Sequence, residues 1–186
     1  MQFTTIALVL ACATGLLASP LRERNSTEIL TFNEYVELYR EPSSNGVDSL
    51  VYYGPASGTK TLRSEANPVE ERASCSATTA PTCFTSHSAR NDICDQLVTE
   101  LFNDSQITVG QSPRQICYEG AAAESNEYCC VSWHNVVPSL IKGDLANYAN
   151  TILQQCTSNG ISGKIYNVLV HQTCTSVCLS NRGTGC

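Results

Sequence analysis

The residues best suited to catalysis or metal binding in this 186-residue chain are its eleven cysteines and three histidines. Cysteine thiolates can act as nucleophiles, ligate metal ions or form disulfides. Cys12 lies in an apolar N-terminal stretch, and setting it aside leaves ten of the eleven cysteines. An even number in an oxidising compartment favours five disulfides over a free nucleophile. The ten are Cys75, Cys83, Cys94, Cys117, Cys129, Cys130, Cys156, Cys174, Cys178 and Cys186.

Metal binding and catalysis have weaker support in the sequence. There is no Cys-x-x-Cys pair, and the three histidines do not have the short spacing of zinc ligands, so neither a metal nor a cofactor is predicted. The chain also lacks the Gly-x-Ser-x-Gly motif of esterases. A small secreted hydrolase of ribonuclease or glycan type would instead need a histidine–carboxylate pair. The candidates for that pair are His134 and His171 with Glu100, Glu119 or Glu127, whereas His87 is expected in the first turn of a helix.

The N-terminus has the pattern of an export signal. Ile6 to Ala18 is a short apolar stretch that ends in small residues, and it is too short to span a bilayer. We therefore predict a signal peptide at 1–18, cleavage after Ala18, and a secreted, extracellular protein. Asn25 and Asn103 each begin an Asn-x-Ser/Thr sequence and are predicted glycosylation sites.

The charge of the chain limits its partners. With a net charge of −6 and an isoelectric point near 5.0, the chain does not attract the negatively charged phosphates of a nucleic acid, so nucleic acid is excluded as a partner. No later apolar run is long enough for a membrane span, so stable membrane insertion is not expected. The expected partner is an unidentified extracellular protein or a wall polysaccharide.

The chain divides into two unequal parts after the predicted signal peptide. Residues 19–72 contain no cysteine and are rich in turn-forming residues, which predicts a pro-segment, cleaved after Arg72, or else an N-terminal arm packed on the rest. Within this part, Ile29 to Tyr39 has apolar residues at helical spacing, and Leu50 to Tyr53 resembles a short strand. Residues 73–186 are predicted to form the cysteine-rich domain.

That domain is expected to be an α+β fold. Apolar stripes predict helices over 85–102, capped by Ser86 or Ser88, and over 144–157, capped by Asp144 and stopped by Asn159-Gly160. The intervening and following segments predict strands, giving two helices on one face of a mainly antiparallel, disulfide-stapled sheet. The predicted strands cover 114–118, 128–133, 164–170 and 173–178.

The positions of three cysteines predict which way their side chains point. Cys129 and Cys130 are adjacent on a predicted strand, so their side chains point to opposite faces. We expect one to bond beneath a helix and the other to reach a loop or the C-terminal tail. Cys156 lies on the apolar face of the second predicted helix, where it can tie helix to sheet.

A candidate binding surface comes from four residues. The polar loop that contains Asn181 and Arg182 lies between Cys178 and Cys186, where cross-linking would hold its hydrogen-bonding groups rigid. The alternative for this loop is a well-capped chain end. Trp133 is the only tryptophan and His134 follows it; Trp133 is either a core anchor or a contact for carbohydrate or protein.

Several motifs in 73–186 resemble one family of proteins. Ser112-Pro-Arg-Gln-Ile-Cys-Tyr118 and Cys129-Cys-Val-Ser-Trp-His134 occur in the same order as in the fungal secreted "WD-like" family. That resemblance implies a fungal extracellular cysteine-rich protein. The order of helices and cysteines is more remotely similar to killer toxins and necrosis-inducing effectors, which have an α/β sandwich fold. Neither resemblance brings catalytic residues.

The sequence therefore favours a non-catalytic, secreted protein of recognition or effector type. A small secreted hydrolase and a killer-toxin-like antimicrobial protein are the two alternatives. An enzyme would show a cleft lined by histidine and carboxylates, whereas a binding protein would show an exposed apolar or aromatic patch.

Overall fold

The computed structural model describes residues 35–56, 75–77, 80–111, 113–120 and 128–181. Every described residue belongs to one compact unit, Asn33–Cys186. The elements in chain order are β1 Tyr35–Pro42, β2 Ser49–Pro55, β3 Thr82–Phe84, α1 Asn91–Asn103, β4 Gln115–Glu119, β5 Tyr128–Trp133, α2 Lys142–Gln155, a 3₁₀ turn Thr157–Asn159, β6 Ser162–Val170 and β7 Thr173–Ser180.

The seven described strands form one sheet in the order β1-β2-β4-β5-β7-β6-β3, and every neighbouring pair is antiparallel. Alternate residues of the central strands enter one apolar core with the buried stripes of both helices. Helix α1 packs over β4 and β5, and α2 packs over β6 and β7. The predicted α+β class, with two helices on one face of an antiparallel sheet, is confirmed.

The opposite face of the sheet is buried at its centre as well. Val51, Gln115, Cys130 and Ser180 point away from the helical core, yet each is fully buried. Cys117 and Cys130 lie directly opposite each other on this face and are joined by a disulfide with a Cα–Cα distance of 4.0 Å. Strands buried on both faces cannot be displaced without disturbing core packing on each side.

Disulfides connect elements that are distant in the chain. Cys94–Cys129 joins α1 to β5, Cys83–Cys156 joins β3 to the end of α2, and Cys75–Cys174 joins the segment before β3 to β7. Cys129 thus bonds beneath a helix and Cys156 ties a helix to the sheet, as expected. The prediction for Cys130 is wrong, because Cys130 bonds to Cys117 on the neighbouring strand β4 and not to a loop or the tail. Cys178 is also disulfide-bonded, and Cys186 lies outside the described residues.

The helix ends differ locally from the sequence prediction. Helix α1 begins at Asn91, and its N-cap, Arg90, makes no side-chain capping bond, so neither predicted serine caps it. Helix α2 begins at Lys142; Asp144 is its third residue and accepts the backbone N–H of Ile141 at 2.9 Å. Asp144 therefore caps the helix from its third position, as the acidic residue of a capping box does, instead of serving as the N-cap. Gly160 adopts φ +76° after the 3₁₀ turn, in the left-handed position predicted for it.

The first two strands come from the part of the chain without cysteines. The helical spacing expected through Tyr39 is wrong for residues 35–39, which form β1 and pair with β2. Strand β2 in turn pairs with β4, so the sheet extends across the domain boundary predicted at residue 73. The predicted signal peptide at 1–18 lies outside the described residues, as do Ala18, Asn25 and Arg72, and removal of 19–72 stays a prediction. Asn103 is exposed at the end of α1.

Within the described ranges, neither helix combines the length and the apolar character that a membrane crossing requires.

Candidate functional site

A groove of about 780 Å³ lies at the start of α1. It is bordered by the segment 87–92, by Tyr128 at the start of β5, and by Gly160 and Asn181 after the second helix and the last strand. The lining therefore comes from four separate parts of the chain that the sheet and helices bring together. We call this cavity the α1 groove.

The walls of the α1 groove are held by core contacts. The hydroxyl of Ser162 on β6 donates to the carbonyl of Ser86 at 2.8 Å, which fixes the chain before the groove. Ala89 is buried in the core, and Cys94 on the next helical turn is bonded to Cys129, the neighbour of Tyr128. His87 has φ +65°, a left-handed conformation that this fixed surrounding must maintain. The groove is thus a preformed concavity on a cross-linked frame.

The groove contains hydrogen-bonding groups but little net charge. Arg90 and Asp92 form an ion pair, with Nε donating to Oδ1 at 3.1 Å, and hydrogen bonding from Arg90 lowers the pKa of Asp92. The remaining polar groups are a phenol, an imidazole, a hydroxyl and two side-chain amides, from Tyr128, His87, Ser88, Asn91 and Asn181. Such a mixture of donors and acceptors around one aromatic ring suits a neutral ligand rich in hydroxyls.

The predicted binding residues do not form one surface. Trp133 is only 3 % exposed and belongs to the core, so its interpretation as a contact is corrected to a core anchor. His134 is exposed, and its N–H donates to Ser176, five residues before Asn181 on the paired strand. At about 3.3 Å per residue, His134 and Asn181 lie about 16 Å apart. Asn181 lines the α1 groove, whereas Arg182 lies outside the described residues.

Sequence reasoning missed the rest of the groove. The prediction places the whole run 87–92 in the first helix, although α1 begins only at Asn91 and residues 87–90 precede it; the run forms one wall of the groove. Its polar composition is equally typical of a helix start, so no local pattern distinguishes the two. Tyr128 was assigned correctly to a strand, but nothing in the sequence shows that it lies beside Asn181.

A second, smaller cavity of about 370 Å³ contains a histidine–aspartate pair. His171 Nε2 lies 2.7 Å from Asp144 Oδ2, at the start of α2. His171 and Gln172 form the two-residue turn between β6 and β7 and have φ +44° and +65°. Neither residue is the glycine or asparagine that such turns prefer, so the turn is strained and the bond to Asp144 helps to hold it.

The backbone groups beside the histidine–aspartate pair are already hydrogen-bonded. The backbone N–H groups at the start of α2 already donate to other carbonyls: Lys142 to Ile107, Gly143 to Ser105, and Asp144 to Ile141. No donor at this helix start is therefore left to stabilise a developing oxyanion. The described residues also contain no group of three histidine, cysteine or acidic side chains placed to hold a metal ion.

The carboxylates predicted as partners of the histidines have other roles. Glu100 is buried and accepts the backbone N–H of Ser44 at 2.9 Å. Glu119 accepts the hydroxyl of Tyr53 at 2.7 Å and forms an ion pair with Arg40. Glu127 lies outside the described residues. Both described glutamates bind the first two strands instead of a histidine.

A buried lysine forms a cluster with two carboxylates and a tyrosine. The side chain of Lys142 is 1 % exposed, and its Nζ donates to Glu41 Oε1 and Asp104 Oδ2, each at 2.7 Å. Tyr52 donates its hydroxyl to the same oxygen of Glu41 at 2.6 Å, and Tyr39 stacks on Tyr52. The cluster joins β1 and β2 to the ends of both helices.

Three tyrosines donate to carboxylates: Tyr52 to Glu41 within the first two strands, and Tyr53 to Glu119 and Tyr118 to Asp48 between those strands and β4. Burial is the main cause that raises the pKa of each phenol above 10, and the neighbouring carboxylate raises it further. Burial, followed by the charge of Glu41, raises the pKa of Tyr39 to about 12.

These tyrosines predict a loss of stability in alkali. A pKa that is higher in the folded than in the unfolded protein stabilises the fold fully below the ordinary value near 10, and this contribution disappears as the pH rises toward the folded value. We expect the free energy of unfolding to be level from about pH 7 to 9 and to fall above about pH 10. Urea titrations across this pH range measure the free energy of unfolding, and tyrosinate absorbance measures the ionisation of the phenols. Phenols that all ionise near pH 10 without loss of stability would contradict the prediction.

Comparison with known proteins gives one family match. The family model described as Fungal WD-like matches residues 33–186, a region that begins just before β1 and includes all the described strands. No curated protein and no solved structure matches the chain.

Proposed function

This chain belongs to the Fungal WD-like family, and we propose that it is a secreted, non-catalytic recognition protein of effector type that binds a wall polysaccharide. The carrying observation is the α1 groove, a concave and nearly neutral surface with amide, hydroxyl and phenol groups. The disulfides and the predicted signal peptide support export, because such bonds persist in oxidising compartments.

The groove chemistry favours a polysaccharide over a charged partner. Sugar hydroxyls both donate and accept hydrogen bonds, as the amides of Asn91 and Asn181 do. The ring of Tyr128 adds an apolar surface for the less polar face of a sugar. Arg90 is already paired with Asp92, so the described lining offers no strong attraction to an anionic ligand.

The two alternative functions have less support. A hydrolase would use the His171–Asp144 pair, but the N–H groups beside that pair already bond to other carbonyls. A killer-toxin-like protein that acts on anionic cell surfaces would be opposed by the net charge of −6. Assays for soluble sugar release and for growth inhibition of target cells distinguish these alternatives from simple binding.

Retention on insoluble chitin, β-glucan and mannan tests the proposal. We expect the secreted protein to bind one of these polymers without releasing soluble sugar. Asn91→Ala and Asn181→Ala should each weaken binding roughly fivefold, because each removes about 1 kcal/mol of hydrogen bonding. Asn147→Ala is the matched control, since Asn147 is an exposed amide in the His171 cavity.

Two results would contradict this function. Retention by none of the three polymers would remove the polysaccharide as ligand, and sugar release would favour the hydrolase. Loss of binding in Asn147→Ala, with Asn91→Ala and Asn181→Ala unchanged, would move the site to the His171 cavity.

A further inference from the structure

The first two strands have no covalent cross-link to the rest of the sheet. We call residues 35–55, which contain β1, β2 and their turn, the N-terminal hairpin. The sequence has no cysteine between Cys12 and Cys75, so no disulfide can start within this hairpin. The elements from β3 to β7, in contrast, are joined by four disulfides. The hairpin and the cross-linked part are thus stabilised in different ways.

Backbone pairing and apolar burial hold the hairpin. Strand β2 pairs with β4 over five residues, from Ser49 opposite Glu119 to Tyr53 opposite Gln115. Leu50, Val51 and Tyr52 are each no more than 1 % exposed. Burial of such side chains is the main favourable contribution to docking of one segment on another.

Polar contacts also fix the position of the hairpin. Asp48 accepts the hydroxyl of Tyr118, and the backbone N–H of Ser44 donates to Glu100 on α1. Glu41 accepts a hydrogen bond from Nζ of the buried Lys142. The hydroxyl of Tyr53 on β2 donates to Glu119 on β4. These contacts reach α1, α2 and β4, so they define one position of the hairpin.

We propose that non-covalent contacts alone are enough to hold the N-terminal hairpin on the sheet, even when the chain beyond it is cut. The surface that accepts the hairpin is formed by the edge of β4 and Lys142. Cutting the chain between Pro55 and Cys75 then yields a folded two-chain protein from which the hairpin is not released. Processing after Arg72 would therefore nick the protein without removing its first two strands. A cleaved pro-segment and a permanent arm become compatible descriptions of the same residues.

A cleavable form of the secreted protein tests this inference. A recognition sequence for a site-specific protease is inserted between Pro55 and Cys75, and the uncut protein serves as the control for folding. After cutting, we expect two bands on a non-reducing denaturing gel but one peak at the original volume in gel filtration at micromolar concentration. The circular dichroism spectrum should stay that of the uncut protein.

Two variants test which contacts retain the hairpin. In the cut protein, Lys142→Met should raise the dissociation constant of the hairpin at least about tenfold, equivalent to 1.4 kcal/mol. Lys164→Met is the matched control, because Lys164 lies on β6, at the other side of the sheet, over the ring of Tyr166. Dilution of the cut protein carrying a labelled hairpin measures both constants.

Three outcomes would overturn the inference. Separation of the fragments in gel filtration would show that the chain connection is needed. A single band on the non-reducing gel would reveal a covalent link. Equal dissociation constants for the Lys142 and Lys164 variants would remove Lys142 from the acceptor surface.

Discussion

Gly163→Ala is expected to destabilise the protein by about 3 kcal/mol, because α2 crosses β6 at this residue without space for a methyl group. A Cβ at position 163 would lie 2.6 Å from Cγ2 of Ile152 and 2.7 Å from Sγ of Cys156. Neither neighbour can move easily, since Ile152 is fully buried and Cys156 is bonded to Cys83 on the adjacent strand. The helix or the strand must therefore shift as a unit.

Urea unfolding of Gly163→Ala measures this effect, and Gly46→Ala is the matched control. Gly46 has φ +70° in the turn of the N-terminal hairpin, and a Cβ there would meet nothing within 4 Å. The control should lose only about 1 kcal/mol, from backbone strain in the left-handed region. A loss at Gly163 no larger than that at Gly46 would show that the contact between α2 and β6 is looser than described.

Replacement of both Cys94 and Cys129 by alanine is expected to cost about 4 kcal/mol of stability. The bond closes a sequence separation of 35 residues, and the chain-entropy estimate for a loop of that size is about 4 kcal/mol. Both sulfurs are fully buried between α1 and β5, so the substitution also leaves a small cavity. Because Cys129 follows Tyr128, we also expect weaker polysaccharide retention from this variant.

The control for this prediction is the double alanine variant of Cys117 and Cys130. These cysteines are separated by only 13 residues on neighbouring strands, and the same estimate gives about 3 kcal/mol. Neither cysteine of that pair lines the α1 groove, so retention should change less. Thermal unfolding of the two double variants compares their losses of stability, and polymer retention compares their binding. A larger loss of stability from the Cys117 and Cys130 variant would show that chain entropy does not determine how much these disulfides stabilise the protein.

Some features of the fold follow from local pattern alone. Leu145, Ala149 and Ile152 recur at helical spacing, which is why α2 and its buried face were predicted correctly. The alternation of a strand likewise requires Cys129 and Cys130 to point to opposite faces, whatever their partners. These conclusions need no knowledge of the neighbouring elements, because backbone geometry sets the periods.

The candidate site could be predicted only in part. Asn181 was identified as a polar residue near a cysteine, whereas Tyr128 and the run 87–92 were not connected with it. Trp133 was left between core and surface, since a large aromatic ring is suited to both. The α1 groove exists because four segments, each more than 20 residues from the next in sequence, meet in the folded chain, and no local pattern encodes that meeting.

The sequence by itself determined the α+β class of the molecule, through its two amphipathic helices and its alternating strands. Only the tertiary structure decided that β1 and β2 complete the sheet and that Cys130 bonds to Cys117. The physical reason is that strand pairing and disulfide bonding need partners, and partners are chosen by packing of the whole core. The apolar residues within 35–39 have helical spacing, but this segment forms a strand because its backbone groups pair with those of β2.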